Sequence, residues 1–378
     1  MSIKKDSQKF AHQIKSFLFQ GLHKSFKKKY FNEHYSETKK LILFFVPAGT
    51  DRINGGILSI CTISNVIKDL KEIHGCDVVA SFLPVKSETD FKYRKFSNDM
   101  IIYTFKEIEK YFNHLDFAEI HIPDVMISAF NKENKKMKPF FRWTEKIKEV
   151  KINLLNQNDL FIPAIEKINK VKEVFPNTTM TMAHKKYATI EKRNQYGVPL
   201  HLFSAWLSPT PYKKRTFEEK ENLIIYSPDK IQWVPNSSTL TKEEILANLK
   251  SKLPHYKFVE IKDMNYDTYR DYASRAKFVI TFGEGLDGYL IETIFSGGIS
   301  FAVYNEIFFT KDFENLPSLY TSFDQLNQKI AADINRYDNA KSYKEYQDQL
   351  DIIVNKMYSF DMLKNNIKQY YLHNFDFK

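Results

Sequence analysis

Only 2 of the 378 residues are cysteine, Cys61 and Cys76, and no CxxC or Cys/His cluster occurs. That excludes a disulfide scaffold and a structural zinc site, and it suits a reducing compartment. No apolar run approaches the roughly 18 residues that a membrane-spanning helix needs. The start, MSIKKDSQKF, is basic but has neither an uninterrupted apolar stretch nor a cleavage site, so no secretory signal is expected. Internal repeats and low-complexity tracts are also missing. What is present is 43% hydrophobic and 15% aromatic residues, enough for a sizeable core, which excludes disordered and fibrous classes. The length points to more than one domain. The expectation is a soluble, cytoplasmic, multi-domain globular protein.

The net charge of +10 is local. Residues 1–40 hold ten lysines against Asp6, Glu33 and Glu37, and so carry +7 of it. Basicity of this kind is not a nucleic-acid footprint spread over a fold, and no nucleic-acid partner is expected. In the same segment Phe10, Ile14, Phe17, Leu18, Leu22 and Phe26 follow helical spacing between the lysines. A basic helix with Phe and Leu on one face suits an anionic membrane surface, through residues 3–31. Equally, its apolar face can pack on the protein's own body.

Short apolar runs then alternate with helical patterns. The runs 41-LILFFVPA-48, 77-DVVASFL-83, 100-MIIYTF-105, 117-FAEIHIP-123, 150-VKINLLN-156, 178-TTMTMAH-184 and 198-VPLHLF-203 read as strands. Helical patterns lie over 57–73 and 161–174 and near 106–114, 137–148 and 185–196. Residues 207–222 carry two prolines, a basic cluster and polar residues, which reads as a linker. The alternation restarts with 223-LIIYSP-228, 257-KFVEIK-262, 277-KFVITF-282 and 299-ISFAVY-304, with helices from Lys242 to about Leu253, over 266–275 and over 289–296. A polar helical tail follows from about residue 341. The expected architecture is α/β: a basic helical segment (1–40), two Rossmann-like domains (41–206 and 223–340) joined by the linker, and the tail (341–378), with a cleft between the domains as the place for a ligand.

The stretch richest in chemistry is 277-KFVITFGEGLDGYLIETIFSGGISFAVYN-305. A buried strand runs into a Gly-rich turn that opens a helix, placing free backbone N–H groups and the positive helix end at one edge of the sheet, where phosphate binds. Read literally, Gly283-x-Gly285-x-x-Gly288 is a dinucleotide fingerprint, with Glu306 as its ribose-binding acid, and implies an NAD(P)-dependent enzyme. That fingerprint normally follows the first strand of its domain, whereas two strands precede it here. Read by its acids, the stretch has Glu284 in the turn and Glu292 two helical turns further on.

Glu284, Gly285, Gly288, Glu292 and Gly297 after a strand resemble the E-x7-E segment of retaining glycosyltransferases of the GT-B fold, in the family 4-like group. The resemblance is closest over about 260–305 and extends to the two-domain layout and to a tail crossing back to the first domain. It implies transfer of a sugar from a nucleotide-sugar donor to an acceptor hydroxyl with retention, in bacterial polysaccharide or glycolipid assembly. It implies Glu292 on the ribose hydroxyls, Glu284 on the donor sugar as a catalytic residue, and the amides of Gly285 and Leu286 on the diphosphate. Gly55-Gly56 resemble the family's donor-facing loop, with Arg52 beside it for phosphate. His184, at a strand end, is a second catalytic candidate, and His121, also read at a strand end, and Lys185 are candidates for the acceptor or cleft. Where the family carries an Arg and a Lys, this chain has Asp229-Lys230, leaving Lys230 alone for the diphosphate. No acid pair of the DxD type sits in a suitable loop, so neither metal nor cofactor is expected. A lipid-linked acceptor would account for the basic amphipathic start. A non-catalytic nucleotide-sugar-binding protein is the remaining alternative.

Overall fold

The computed structural model describes residues 23–49, 51, 53–84, 91–204, 208, 211–231 and 240–378. They form two compact units: one runs to Phe203 and is completed by Asn366–Lys378, and the other is Ser204–Asn365.

In the first unit, residues 23–34 are helical (α1). They are followed by β1 (Lys40–Val46), α2 (Gly55–Asp69), α3 (Lys71–His74), β2 (Asp77–Phe82), β3 (Ile102–Tyr103), α4 (Phe105–Tyr111), β4 (Phe117–Pro123), α5 (Asp124–Ile127), α6 (Lys138–Thr144), β5 (Glu149–Asn156), α7 (Ile165–Val174), β6 (Thr178–Met182), α8 (Ile190–Tyr196) and β7 (Leu200–Leu202). The strands make one parallel sheet in the order β3-β2-β1-β4-β5-β6-β7. Helices on both faces explain why β1 is buried without interruption from Leu41 to Val46. Aromatic side chains fill one layer, with Phe45, Phe105, Phe130 and Trp143 around Phe140, and the Trp143 indole donating to the Phe112 carbonyl at 2.8 Å.

In the second unit come β8 (Glu221–Tyr226), α9 (Lys242–Lys252), β9 (Lys257–Glu260), α10 (Tyr266–Arg275), β10 (Ala276–Ile280), α11 (Gly288–Phe295), β11 (Ile299–Val303), β12 (Leu319–Tyr320), α12 (Phe323–Tyr337) and α13 (Ala340–Tyr358). Their parallel sheet has the order β12-β11-β10-β8-β9. The last helix, α14 (Phe360–Tyr371), begins in this unit and ends in the other. There the tail pairs Phe377 antiparallel with Leu200 on the edge strand β7, through bonds of 2.8 and 3.0 Å.

Four local expectations change. The run near 100–105 gives only the two-residue β3. Residues 185–189 form turns, and the helix starts at Ile190 because Thr189 caps it, its hydroxyl accepting from the Lys192 amide at 3.3 Å. The helix near 137–148 ends at Thr144. In α1, Lys27 is not a solvated lysine: it is 3% exposed and pairs with Glu107, while Phe31 stacks on Tyr111. Residues 23–34 therefore pack on their own unit, and residues 1–22 of the amphipathic segment lie outside the described residues.

Candidate active site

In the second unit the chain order reverses between β8 and β10, since β9 lies on one side of the pair and β11 and β12 on the other. Such a switch point brings two loops together at the carboxyl ends of the strands, the usual ligand position in open α/β sheets. Here they are 227–231 and 281–288. The Ser227 hydroxyl accepts from the Phe282 amide at 3.0 Å and ties them together. A β-carbon on Gly283 would lie 3.2 Å from the Asp229 carboxyl carbon, so Asp229 sits against the Gly-rich turn.

Gly285 has φ +83°, and a β-carbon there would meet the Val303 carbonyl at 2.6 Å and the Phe309 ring at 2.8 Å. Only glycine fits this position. The turn places Leu286 in the core and opens α11, where Asp287 caps the helix by accepting from the Leu290 amide at 3.0 Å. Burial raises the Asp287 carboxyl well above the ordinary range, with Asp229 and Glu284 adding like-charge repulsion. The carboxyls of Asp229, Glu284 and Asp287 thus gather at the loop edge that also carries Lys230. Lys230 is exposed and Glu284 is partly exposed.

Glu292 lies two turns along α11 and is 2% exposed. Its Oε1 accepts from the Tyr266 hydroxyl at 2.7 Å, and its Oε2 is buried without a hydrogen bond. Tyr269, Tyr212 and Arg270 complete its surroundings. Burial pushes the carboxyl up to about 7, against the Tyr266 and Tyr269 hydroxyls and the Arg270 charge, which favour ionisation. Residues 211–212 cover the group: Arg270 donates to the Pro211 carbonyl, its guanidinium lies 5.3 Å from the Tyr212 ring, and that ring stacks on Phe295 at 5.6 Å.

The remaining candidates belong to the first unit. Gly55 and Gly56 are the opening residues of α2 rather than a loop, capped by Asn54, whose side chain accepts from the Ile57 amide at 2.9 Å. The Gln157 amide donates to the Gly56 carbonyl at 2.8 Å, and a β-carbon on Gly56 would lie 2.9 Å from Gln157 Oε1. Arg52 lies outside the described residues. His184 follows β6 at the carboxyl edge of the sheet, and burial pushes its imidazole down to about 4, so it is neutral at physiological pH. Lys185 beside it is exposed.

His121 is not at a strand end but within β4, wholly buried. It stacks on Phe44 at 4.4 Å, and its ring nitrogens lie 3.1 Å from the Tyr371 hydroxyl and 3.0 Å from the Asn153 amide. Next to it, burial works against ionisation of Glu119, but Lys151, His121 and the Tyr370 hydroxyl hold that carboxyl down at about 2. Of this cluster Glu119, Lys151 and Tyr371, but not His121, line a pocket of about 370 Å³ at the amino ends of β4, β5 and β6, at the opposite edge from His184.

Four side chains that touch the candidate site escape sequence reasoning. Tyr212, Tyr266 and Arg270 meet Glu292 only through tertiary packing. Lys242 closes the 227–231 loop by donating to the Pro228 carbonyl at 3.1 Å while pairing with Glu260 at 2.8 Å. The helical pattern over 266–275 places Tyr266 on α10, which Asn265 caps, but does not aim it at Glu292. Among the described residues no group of three or more His, Cys, Asp and Glu is arranged to hold a metal ion.

No protein-family model matches the chain, and no curated protein matches it in sequence. Solved structures do match its fold. Sucrose-phosphate synthase from Thermosynechococcus elongatus aligns with a TM-score of 0.52 at 8% identity, over 89% of this chain and 99% of that one. Anabaena HepE in complex with UDP and glucose gives 0.53 at 8%, over 88% and 99%. The pneumococcal O-GlcNAc transferase GtfA in complex with UDP and GlcNAc gives 0.53 at 8%, over 89% and 100%. Two parallel α/β units, a strand–glycine turn–helix at the second unit's switch point and a terminal helix that returns to the first unit identify the chain as a GT-B fold, the fold of these glycosyltransferases.

Proposed function

We propose that the protein is a glycosyltransferase that moves a sugar from a nucleotide-sugar donor to an acceptor hydroxyl, with retention and without a metal. The observation that carries this reading is the β10–α11 connection, where Gly285 holds a left-handed turn between Glu284 and the helix bearing Glu292, inside a GT-B fold. In this reading Glu284 contacts the donor sugar and Glu292 the ribose, while the Gly285 and Leu286 amides and Lys230 take the charge that builds on the departing diphosphate. Gly55, Gly56, neutral His184 and Lys185 are the first unit's contribution, by the resemblance alone. Uridine diphosphate is the first nucleotide to test, because HepE and GtfA were both solved with it. A glycan or lipid-linked acceptor, a role in bacterial polysaccharide or glycolipid assembly, and work at the cytoplasmic face of a membrane complete the proposal. Among the described residues no helix is long and apolar enough to cross a membrane.

The test is a thermal-shift panel with UDP, GDP, dTDP, CMP and NAD on the wild type and on Glu292→Ala. Ligand at a hundredfold excess over Kd stabilises by about 2.7 kcal/mol. A shift with one nucleoside diphosphate, lost in the variant, is the expected result, and transfer of labelled sugar from the matching donor then identifies an enzyme rather than a binding protein. A shift with NAD alone refutes the reading and favours the dinucleotide fingerprint. The position of the glycine turn disfavours that outcome, since it follows β10 and not β8, the first strand of its unit.

A further inference from the structure

A carboxylate that receives a ribose must offer well-aimed lone pairs to two neighbouring hydroxyls. Glu292 already accepts the same chemistry: Tyr266 donates an O–H to Oε1 at 2.7 Å. The other oxygen, Oε2, is buried without a hydrogen bond, and the Tyr269 hydroxyl, also without one, lies against the same carboxyl. An orphaned carboxylate oxygen inside a protein is costly, and a donor that reaches it is correspondingly favoured. Tyr266 and Glu292 are 4% and 2% exposed, so no ligand hydroxyl reaches the carboxyl while the present arrangement stands.

What closes the group is side chains and a short irregular segment rather than the helix frame. Residues 211–216 form neither helix nor strand. Their hold on the site includes the Arg270 bond to the Pro211 carbonyl, the Arg270–Tyr212 stack, the Tyr212–Phe295 stack and the Arg215 amide on the Ser296 carbonyl at the end of α11.

We propose that Tyr266 occupies the place of a donor hydroxyl on Glu292, so that nucleotide binding exchanges the tyrosine O–H for ribose O–H groups. The inference rests on the nucleotide-sugar reading above and adds to it a positioning residue: Tyr266 keeps the carboxylate satisfied and oriented while the site is empty, and competes with the ligand for it. Arg270 serves both states, balancing the carboxylate charge and pinning the cover.

The exchange is tested by calorimetric binding of UDP, and of the diphosphate selected by the panel if that differs, to the full chain. The variants are Tyr266→Phe, Glu292→Gln and the double variant, with the 2′-deoxy nucleotide as a second probe. Tyr266→Phe keeps the ring and removes the competing hydroxyl, so the ribonucleotide binds about five- to tenfold tighter, within the net range of one ordinary hydrogen bond. The 2′-deoxy form gains less. On the Glu292→Gln background the gain disappears. A merely structural tyrosine would give weaker or equal binding and no change in the ribo-to-deoxy ratio. If Tyr266→Phe does not fold, Tyr266→Leu removes the same hydroxyl through a different side chain. Nucleotide binding that Tyr266→Phe leaves unchanged or weakens overturns the exchange and leaves the transferase reading standing. No binding of any nucleoside diphosphate to the wild type or to any of the variants overturns that reading, and the exchange with it.

Discussion

Replacing Glu292 by Gln should change how the stability of the second unit depends on pH, whatever it does to stability itself. Folded, the carboxyl is held at about 7 by burial, against an ordinary glutamate value of 4.5. The folded chain therefore keeps a proton that the unfolded chain releases across that window. Stability from this group is fully present below pH 4.5 and is lost as pH rises through 7, for a total of about 3 kcal/mol. Between pH 5 and pH 8 the wild type should lose about 2–3 kcal/mol that the Gln variant, having nothing to titrate, does not lose. Urea-dependent hydrogen exchange of peptides from α10 and α11 reads this unit independently of the other. The quantity to plot is the variant-minus-wild-type opening free energy at pH 5, 6, 7 and 8, in which every other titrating group cancels. A rising difference with its midpoint near pH 6 is expected. A flat line would show that Glu292 titrates like an exposed glutamate, and the enclosure by Tyr266, Tyr269 and Tyr212 would then be wrong.

Three further outcomes follow from contacts already described. Gly285→Ala forces a left-handed backbone on alanine and drives its methyl into the Val303 carbonyl and the Phe309 ring. It should cost about 2–5 kcal/mol in chemical denaturation, and a cost below 0.5 kcal/mol would mean the turn is not held as seen. Tyr370→Phe removes the hydroxyl that donates to Glu119 at 2.7 Å and bonds Thr179 at 2.8 Å, and should destabilise the first unit by about 1–3 kcal/mol, read as exchange of β4 and β6 peptides. Deleting residues 1–22 should abolish co-sedimentation with vesicles rich in anionic lipid while leaving the fold intact, because Lys27 and Phe31 stay docked on the first unit. Sedimentation equal to that of the full chain would remove the membrane from the proposal.

The alternating architecture was legible because each buried strand of a parallel sheet is an apolar run of its own, and 117–123 and 266–275 appear as β4 and α10 at the expected residues. Boundaries failed where short polar chemistry outweighed pattern, as at Thr189, which delays α8. The helix α12 was missed altogether: Phe323, Leu326, Ile330 and Ile334 space it correctly, but mostly polar residues surround them. At the site, sequence spacing located Glu284, Gly285 and Glu292, since these depend on one strand, one turn and one helix. It could not show that Glu292 is enclosed, because Tyr266 is 26 residues away and Tyr212 lies in a segment that reads as linker. His121 looked like a strand-end ligand for the same reason, its partner Tyr371 being 250 residues distant.

The return of α14 has a consequence for synthesis. Multidomain chains generally fold from the amino terminus as they are translated. Here residues 204–365 are made before residues 366–378, yet the first unit needs the later segment: Tyr370 for Glu119 and Thr179, Tyr371 for His121, and Phe377 for the open edge at Leu200. A ribosome stalled before residue 366 holds a second unit with its whole sequence in hand and a first unit whose buried charges still lack their hydroxyls. The order of completion is inverted, and the older half of the polypeptide waits for the younger to finish.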